Sequence, residues 1–353
     1  MKLRRLPKIG VILLLGSWML QAYAGQVREY WIAAEKVMWD YAPSGQNLIN
    51  PDAGLGVWGE RTVYEKYRYI QYIDGSYTTP VPQPEWMGVL GPQLRAEVGD
   101  TIMVHFLNRT DRPLSMHPHG LRYDEDNDGA DRRGAGGIVP PGGSFTYVWE
   151  VDQAAGPGSD DPSSIVWLYH SHVVPEKEIN LGLVGTIVVT AKGMARSKND
   201  PRPKDVDEEF TTLFMVFDEE DGEEGGLMHS MNGYIFGNLQ GYRVSKGARV
   251  RWHVISMGNE VDLHTAHWHG ATVLDGPALP KNFNPHWHGA TVLEGPALPK
   301  NFNRGKRLDT VPLLPATTKS LTLEALRPGT WLFHCHVHDH MKAGMITRWQ
   351  VVE

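Results

Sequence analysis

Thr101-Ile102-Met103-Val104-His105-Phe106-Leu107 is a short, largely apolar run that follows Gly99-Asp100 and stops at Asn108. Its length and its turn-forming borders read as a β-strand. Ser144-Phe145-Thr146-Tyr147-Val148-Trp149 and Gly185-Thr186-Ile187-Val188-Val189-Thr190 repeat the pattern. After a break, Val250-Arg251-Trp252-His253-Val254-Ile255 and Gly329-Thr330-Trp331-Leu332-Phe333 continue it. No sustained 3.6-residue periodicity intervenes, so the expected class is all-β, a sandwich with Greek-key connections. The 353 residues suffice for two domains of ordinary size, each with its own core. The polar, Pro-containing stretch Ala195-Arg196-Ser197-Lys198-Asn199-Asp200-Pro201-Arg202-Pro203-Lys204 marks the join. The expected division is a first domain over 25–194, a linker over 195–208 and a second domain over 209–353.

Composition narrows the function. Charged residues make up 21% and hydrophobic ones 41%, ordinary for a soluble globular chain. A net charge of −7 argues against nucleic acid or an anionic membrane as partner, since both call for a basic patch. Residues 1–24 read as a signal peptide. Lys2, Arg4, Arg5 and Lys8 precede an apolar run over 9–20, and Ala22-Tyr23-Ala24 supplies the small-x-small cleavage pattern. That run is shorter than the about 20 apolar residues a bilayer span needs. The expectation is therefore export to the periplasm or the medium, with Arg4-Arg5 leaving the twin-arginine route open beside the general one.

Sixteen His accompany a single Cys, which rules out an intrachain disulfide. Four clusters hold most of those histidines: His117-Pro118-His119-Gly120; His170-Ser171-His172; His264-Thr265-Ala266-His267-Trp268-His269-Gly270; and His334-Cys335-His336-Val337-His338-Asp339-His340, with Met345 beyond. Residues i and i+2 of a strand face one side, about 6.6 Å apart. Each His-x-His thus offers two imidazoles to adjacent metal ions, and the same parity turns Cys335 away from His334 and His336. A thiolate with two His and a weak thioether makes a blue-copper site, and His264, Cys335, His340 and Met345 supply that set. A structural zinc site uses four ligands, often paired Cys, and leaves most of these histidines unexplained. His105, His229, His253 and His338 fit no ligand motif and read as structural or surface residues.

These clusters identify the chain by resemblance as a member of the multicopper oxidases. It most resembles the branch that includes ceruloplasmin and hephaestin, through Tyr30-Trp31-Ile32-Ala33-Ala34-Glu35, Ala155-Gly156-Pro157-Gly158 and Gly258-Asn259-Glu260-Val261-Asp262-Leu263-His264-Thr265. Its two-domain layout is similar to the small laccases. The resemblance implies two cupredoxin-like domains and four coppers: one type 1, one type 2 and a type 3 pair. It implies His264, Cys335, His340 and Met345 as type 1 ligands, and His117 with His267 at the type 2 copper. His119, His170, His172, His269, His334 and His336 would hold the type 3 pair. Ser171 stands where a domain with its own type 1 site has Cys, so only the second domain should be blue.

The implied activity is one-electron oxidation of a reducing substrate, phenolic in the laccase manner, coupled to reduction of O2 to water. Cys335, bonded to both His334 and His336, is the implied electron path. Tyr123 and Asp309 are candidates for an outer-sphere redox or proton role. Asp339 and the acidic run Glu219, Glu220, Asp221, Glu223, Glu224 keep Fe2+ or Cu+ oxidation as the alternative. A copper nitrite reductase carries its blue-copper Cys in the first domain, and a copper-storage protein has no need of His on both sides of Cys335. In the family, half-sites meet across a head-to-tail interface, so two domains per chain imply a homotrimer with the cluster shared between chains.

Two further features carry open readings. Asp124-Glu125-Asp126-Asn127-Asp128-Gly129 resembles the front of a calcium loop, but the twelfth position is Ala135 rather than a bidentate Glu. A solvated acidic loop is expected, with an irregular Ca2+ site over 124–131 as the lesser reading. Residues 267–285 read HWHGATVLDGPALPKNFNP and 286–303 read HWHGATVLEGPALPKNFN, a recent tandem duplication or an error of sequence assembly. The first copy has His264 three residues upstream, whereas the second has Phe283, so the first is expected to hold metal.

Overall fold

The computed structural model describes residues 25–130, 132–259, 262–277 and 306–353. The leader at 1–24, and the second copy of the duplication with His286 and His288, lie outside the described residues. The opening run forms the strand Thr101–Asn108, with side chains alternating between buried and half-buried. That is the pattern of a strand with one face on a core.

Two sandwiches follow one another along the chain with the same topology. In the first, the sheet Val63–Tyr72, Val27–Asp40, Thr101–Asn108, Ser144–Glu150 faces the sheet Gln93–Glu97, Val184–Thr190, Ser164–His170, His117–Pro118. In the second, the order Leu227–Met231, Glu208–Asp218, Arg249–Ser256, Thr318–Glu324 continues into Val273–Asp275 and Lys306–Leu308. Its facing sheet runs Arg243–Ser245, Ile346–Val352, Gly329–Cys335, His264–Trp268, Thr310–Leu313. Each half pairs its first strand in parallel with a later one, Val27 with Thr101 and Glu208 with Val250. These are cupredoxin-like β-sandwiches.

Apolar clusters fill each sandwich, one around Ile102, Phe106 and Trp149 and the other around Trp252, Phe333 and Trp349. A third cluster spans the halves, with Tyr41, Val89 and Leu168 packed against Leu213, Phe217 and Ile255. Burial of each such side chain contributes about 1.5–3 kcal/mol, so a shared apolar core holds the halves together beside the polar contacts that cross between them. Within 195–208 the chain forms a hairpin, Ala195–Ser197 with Asp200–Pro203. The Arg196 guanidinium donates to the carbonyls of Pro203, Val206 and Asp207, so this connection is hydrogen-bonded rather than an open tether.

Candidate metal centres

His264 begins the strand His264–Trp268, and Cys335 ends Gly329–Cys335, which pairs with it. A single helical turn, His338–Lys342, folds back and sets His340 against both. His264 Nδ1 and His340 Nδ1 are 3.1 Å apart, and Cys335 Sγ lies 3.9 Å and 3.8 Å from them. All three side chains are buried. His264 Nε2 lies 3.1 Å from the Asp262 carboxylate, which can only accept, so Nδ1 is the bare nitrogen turned toward sulfur. The Thr265 N–H donates to Sγ at 3.3 Å. Met345 is fully buried in the same cluster as Cys335, its carbonyl accepting from the Cys335 N–H. Burial pulls His340 down to about 4 and pushes the Cys335 thiol up, so the imidazole is neutral at pH 7. Two ring nitrogens and a sulfur on one buried point, with the buried Met345 hydrogen-bonded to Cys335 through its backbone, fit copper better than a harder ion.

Two histidine quartets repeat one another in the two sandwiches. His117 pairs with His170 across strands as His267 does with His334. In the first quartet the ring centroids lie 5.1–5.7 Å apart: His117 to His119 is 5.2 Å, to His172 5.2 Å and to His170 5.7 Å, with His119 to His170 5.1 Å. In the second, His267 lies 5.0 Å from His269 and 5.3 Å from His334 and from His336. His170 Nδ1–H donates to the Ser171 carbonyl and His334 Nδ1–H to the Cys335 carbonyl, both at 2.8 Å. The bare Nε2 atoms then face His119 Nε2 and His269 Nε2, each at 3.0 Å. Burial holds His119 at about 4 and His170 at about 3, neutral and ready to bind a cation. Neutral imidazole nitrogens converging on one point are the donor set a copper ion satisfies. Among the described residues, the two quartets of one chain make no ring contact with each other.

The glycine that ends each His-x-His-Gly is required by geometry. Gly120 and Gly270 have φ of +70° and +76°, and a Cβ there would meet Trp167 at 2.2 Å and Trp331 at 2.6 Å.

Several residues at these sites have no motif to announce them. The Asp128 carbonyl accepts from His117 Nδ1 at 2.7 Å, as the Asp309 carbonyl accepts from His267 Nδ1 at 3.1 Å. The acidic loop before Asp128 is braced: Asp124 accepts from the Asn127 N–H and Asp126 from the Ala135 N–H. It serves to present Asp128 to His117. Tyr123 reaches the quartet by that loop rather than by strand parity, because the strand stops at Pro118; its ring stands edge-on to His117 at 6.0 Å. Asp309 keeps its carboxylate 3.6 Å from His267 and mostly exposed. His229, read from sequence as ordinary, lies 5.1 Å from the His340 ring. His253 is buried between Ser320 and Glu209, His105 stacks on Trp31, and His338 is exposed.

Comparison with known proteins agrees with this architecture. Family profiles described as multicopper oxidase match residues 87–193 and 208–353. The chain is 33% identical to rat (Rattus norvegicus) hephaestin over 91% of its length, and to Mus musculus ferroxidase HEPHL1 over 97%. It is 33% identical to Homo sapiens ceruloplasmin over 94%. It spans 29–31% of the length of these relatives. A solved structure titled as a multicopper oxidase superposes with a TM-score of 0.61 at 23% identity, covering 92% of this chain and 89% of that one. The Nitrosomonas europaea blue copper oxidase gives 0.60 at 20%, covering 92% and 86%. One profile covers the part of the first sandwich that carries the first quartet, and the other covers the second sandwich, with the second quartet and Cys335. The chain belongs to the multicopper oxidase family.

Proposed function

We propose that this chain is a copper-dependent oxidase that takes electrons one at a time from a metal-ion reductant, Fe2+ foremost, and passes them to O2. Copper would supply one-electron exchange at the Cys335 site and reduction of O2 to water at a three-copper cluster. His264, Cys335, His340 and Met345 would hold the first, and the two quartets the second. Cys335 shares its backbone with His334 and His336, so one strand links the two sites covalently. Tyr123 and Asp309 remain candidates for moving protons at the quartets.

The observation that carries the choice of reductant is His229. Its Nδ1–H donates to the Leu227 carbonyl at 2.9 Å, which leaves Nε2 bare beside His340. Burial keeps the ring neutral. Asp339 is exposed next to His340, and Glu223 and Glu224 are exposed on the turn that leads into the strand of His229. An imidazole with nearby carboxylates suits a borderline divalent cation. The name of the ferroxidase relative supports the same reading. Phenol oxidation is the second reading, favoured by Leu263 and Leu314, 51% and 57% exposed, which flank the paired His264 and Leu313. Steady-state oxidation of Fe2+, Cu+ and phenols side by side on copper-loaded protein decides between them. We expect His229→Ala to lower kcat/KM for Fe2+ by about tenfold or more, the factor about 1.4 kcal/mol of lost binding represents. Phenol rates should change little; equal losses for both would remove His229 from the reductant site.

The separation of the two quartets within one chain supports assembly. A shared cluster needs the first quartet of one chain against the second of another, a head-to-tail contact that closes in a ring. We propose a homotrimer. Light scattering at assay concentration should find it, and a fully active monomer excludes it. The leader read at 1–24 supports export; among the described residues no helix is long and apolar enough to cross a membrane.

A further inference from the structure

Lys66 lies on the strand Val63–Tyr72 of the first sandwich and its side chain is completely buried. Its ammonium is paired with the Glu219 carboxylate of the second sandwich and donates to the Asn180 carbonyl at 2.6 Å. It also sits 4.3 Å from the centre of the Phe217 ring. Tyr41 donates to the same Glu219 oxygen at 2.5 Å, and Tyr64 donates to Glu220 at 3.0 Å. Asn180 closes the grip one residue earlier, its amide donating to the Asp218 carbonyl at 2.7 Å and accepting from the Asp218 N–H at 2.9 Å. Three consecutive residues of the second sandwich are thus held by the first.

Asp218 ends the strand Glu208–Asp218, and Glu219 and Glu220 begin the turn 219–226, which is closed by the Glu219 N–H donating to the Gly226 carbonyl. The turn carries Glu223 and Glu224 and runs straight into Leu227–Met231, where Val216 pairs with His229. Trp58, also from the first sandwich, meets the His229 ring edge-on at 6.4 Å.

We propose that Lys66 is a positioning residue for the reductant site: by neutralising Glu219 it holds the turn 219–226, and with it Glu223, Glu224 and His229, against His340. This inference rests on the reductant reading given above. Glu219 is 8% exposed in its side chain, and a buried carboxylate that loses its counter-charge must take up a proton or swing out to water. Either course releases the anchor of the turn. Burial draws Lys66 down to about 8 even with Glu219 beside it, so the ammonium depends on that carboxylate for its charge.

The test is Lys66→Met, which keeps the length of the stem and removes the charge. Hydrogen exchange of the amides over 219–231 should quicken about tenfold, while the strand Arg249–Ser256 stays protected. KM for Fe2+ should rise about tenfold, with kcat and the blue absorption retained. Lys66→Arg should keep both measures within about threefold of the native protein. Should Lys66→Met fail to fold, Glu219→Gln breaks the pair from the other side, leaving the buried Lys66 to shed its proton or quit its place, and should move both measures the same way by about threefold. Unchanged exchange in 219–231 overturns the proposal, as does a rise in KM shared equally by phenols. Exchange does not depend on what is oxidised. If the native protein leaves Fe2+ untouched, the reductant reading falls while the exchange result still decides the role of Lys66.

Discussion

Cys335→Ser should yield a folded, colourless protein whose oxidase activity is at background, with one copper fewer per chain by metal analysis. The chain has a single Cys, so no second thiol can replace it. The intense colour of a blue site comes from thiolate bound to copper, and a serine hydroxyl at that place is neither soft nor ionised. Folding should survive. In the first sandwich Ser171 already occupies the corresponding position, its Oγ accepting from the Ser115 N–H at 3.1 Å as Cys335 Sγ accepts from Thr265. The quartet histidines keep their carbonyl braces in the variant, so the type 2 copper signal should persist in electron paramagnetic resonance. Retained blue absorption would end the assignment of His264, Cys335, His340 and Met345 to that site.

His267→Ala should abolish the type 2 signal and the oxidase activity together. His267 stands at the centre of its quartet, about 5 Å from His269, His334 and His336 at once. It is also held by Asp309, so its removal leaves a gap that no neighbouring imidazole spans. The double change His286→Ala, His288→Ala should leave signal and activity nearly intact. The strand that presents His264 to Cys335 presents His267 to His334 a few residues on, and in the sequence Phe283 stands before the second copy where His264 stands before the first. Loss of activity in the double variant with its retention in His267→Ala would assign the site to the second copy.

The strands and the quartets were legible because both depend on short-range patterns. A run such as Thr101–Asn108 is bounded by turn residues, and strand parity alone places His334 and His336 on one side with Cys335 on the other. What escaped depends on the chain returning to a place from afar. The Asp128 brace is a backbone carbonyl, and a carbonyl has no signature in residue type. His229 comes to His340 from a strand in the opposite sheet, so nothing in its neighbours marks it. Lys66 and Glu219 belong to different sandwiches, and each alone reads as a surface charge. The polar segment after Ala195 reads as a tether because proline and charge usually mean solvent. Here Arg196 turns three carbonyls inward and the segment pairs with itself.

Ser171 has a consequence for how such chains change over time. Its N–H donates to the Leu183 carbonyl as that of Cys335 donates to Met345, and Leu114 precedes His117 by the interval at which His264 precedes His267. The first sandwich therefore keeps the backbone mould of a blue site and fills it with a hydroxyl and two leucines. A metal centre in this scaffold can be gained or lost by side-chain substitution while every strand stays where it is. Descent with one blue centre and descent with two leave the same trace of the main chain, and the lineage is recorded only in which residues line the mould.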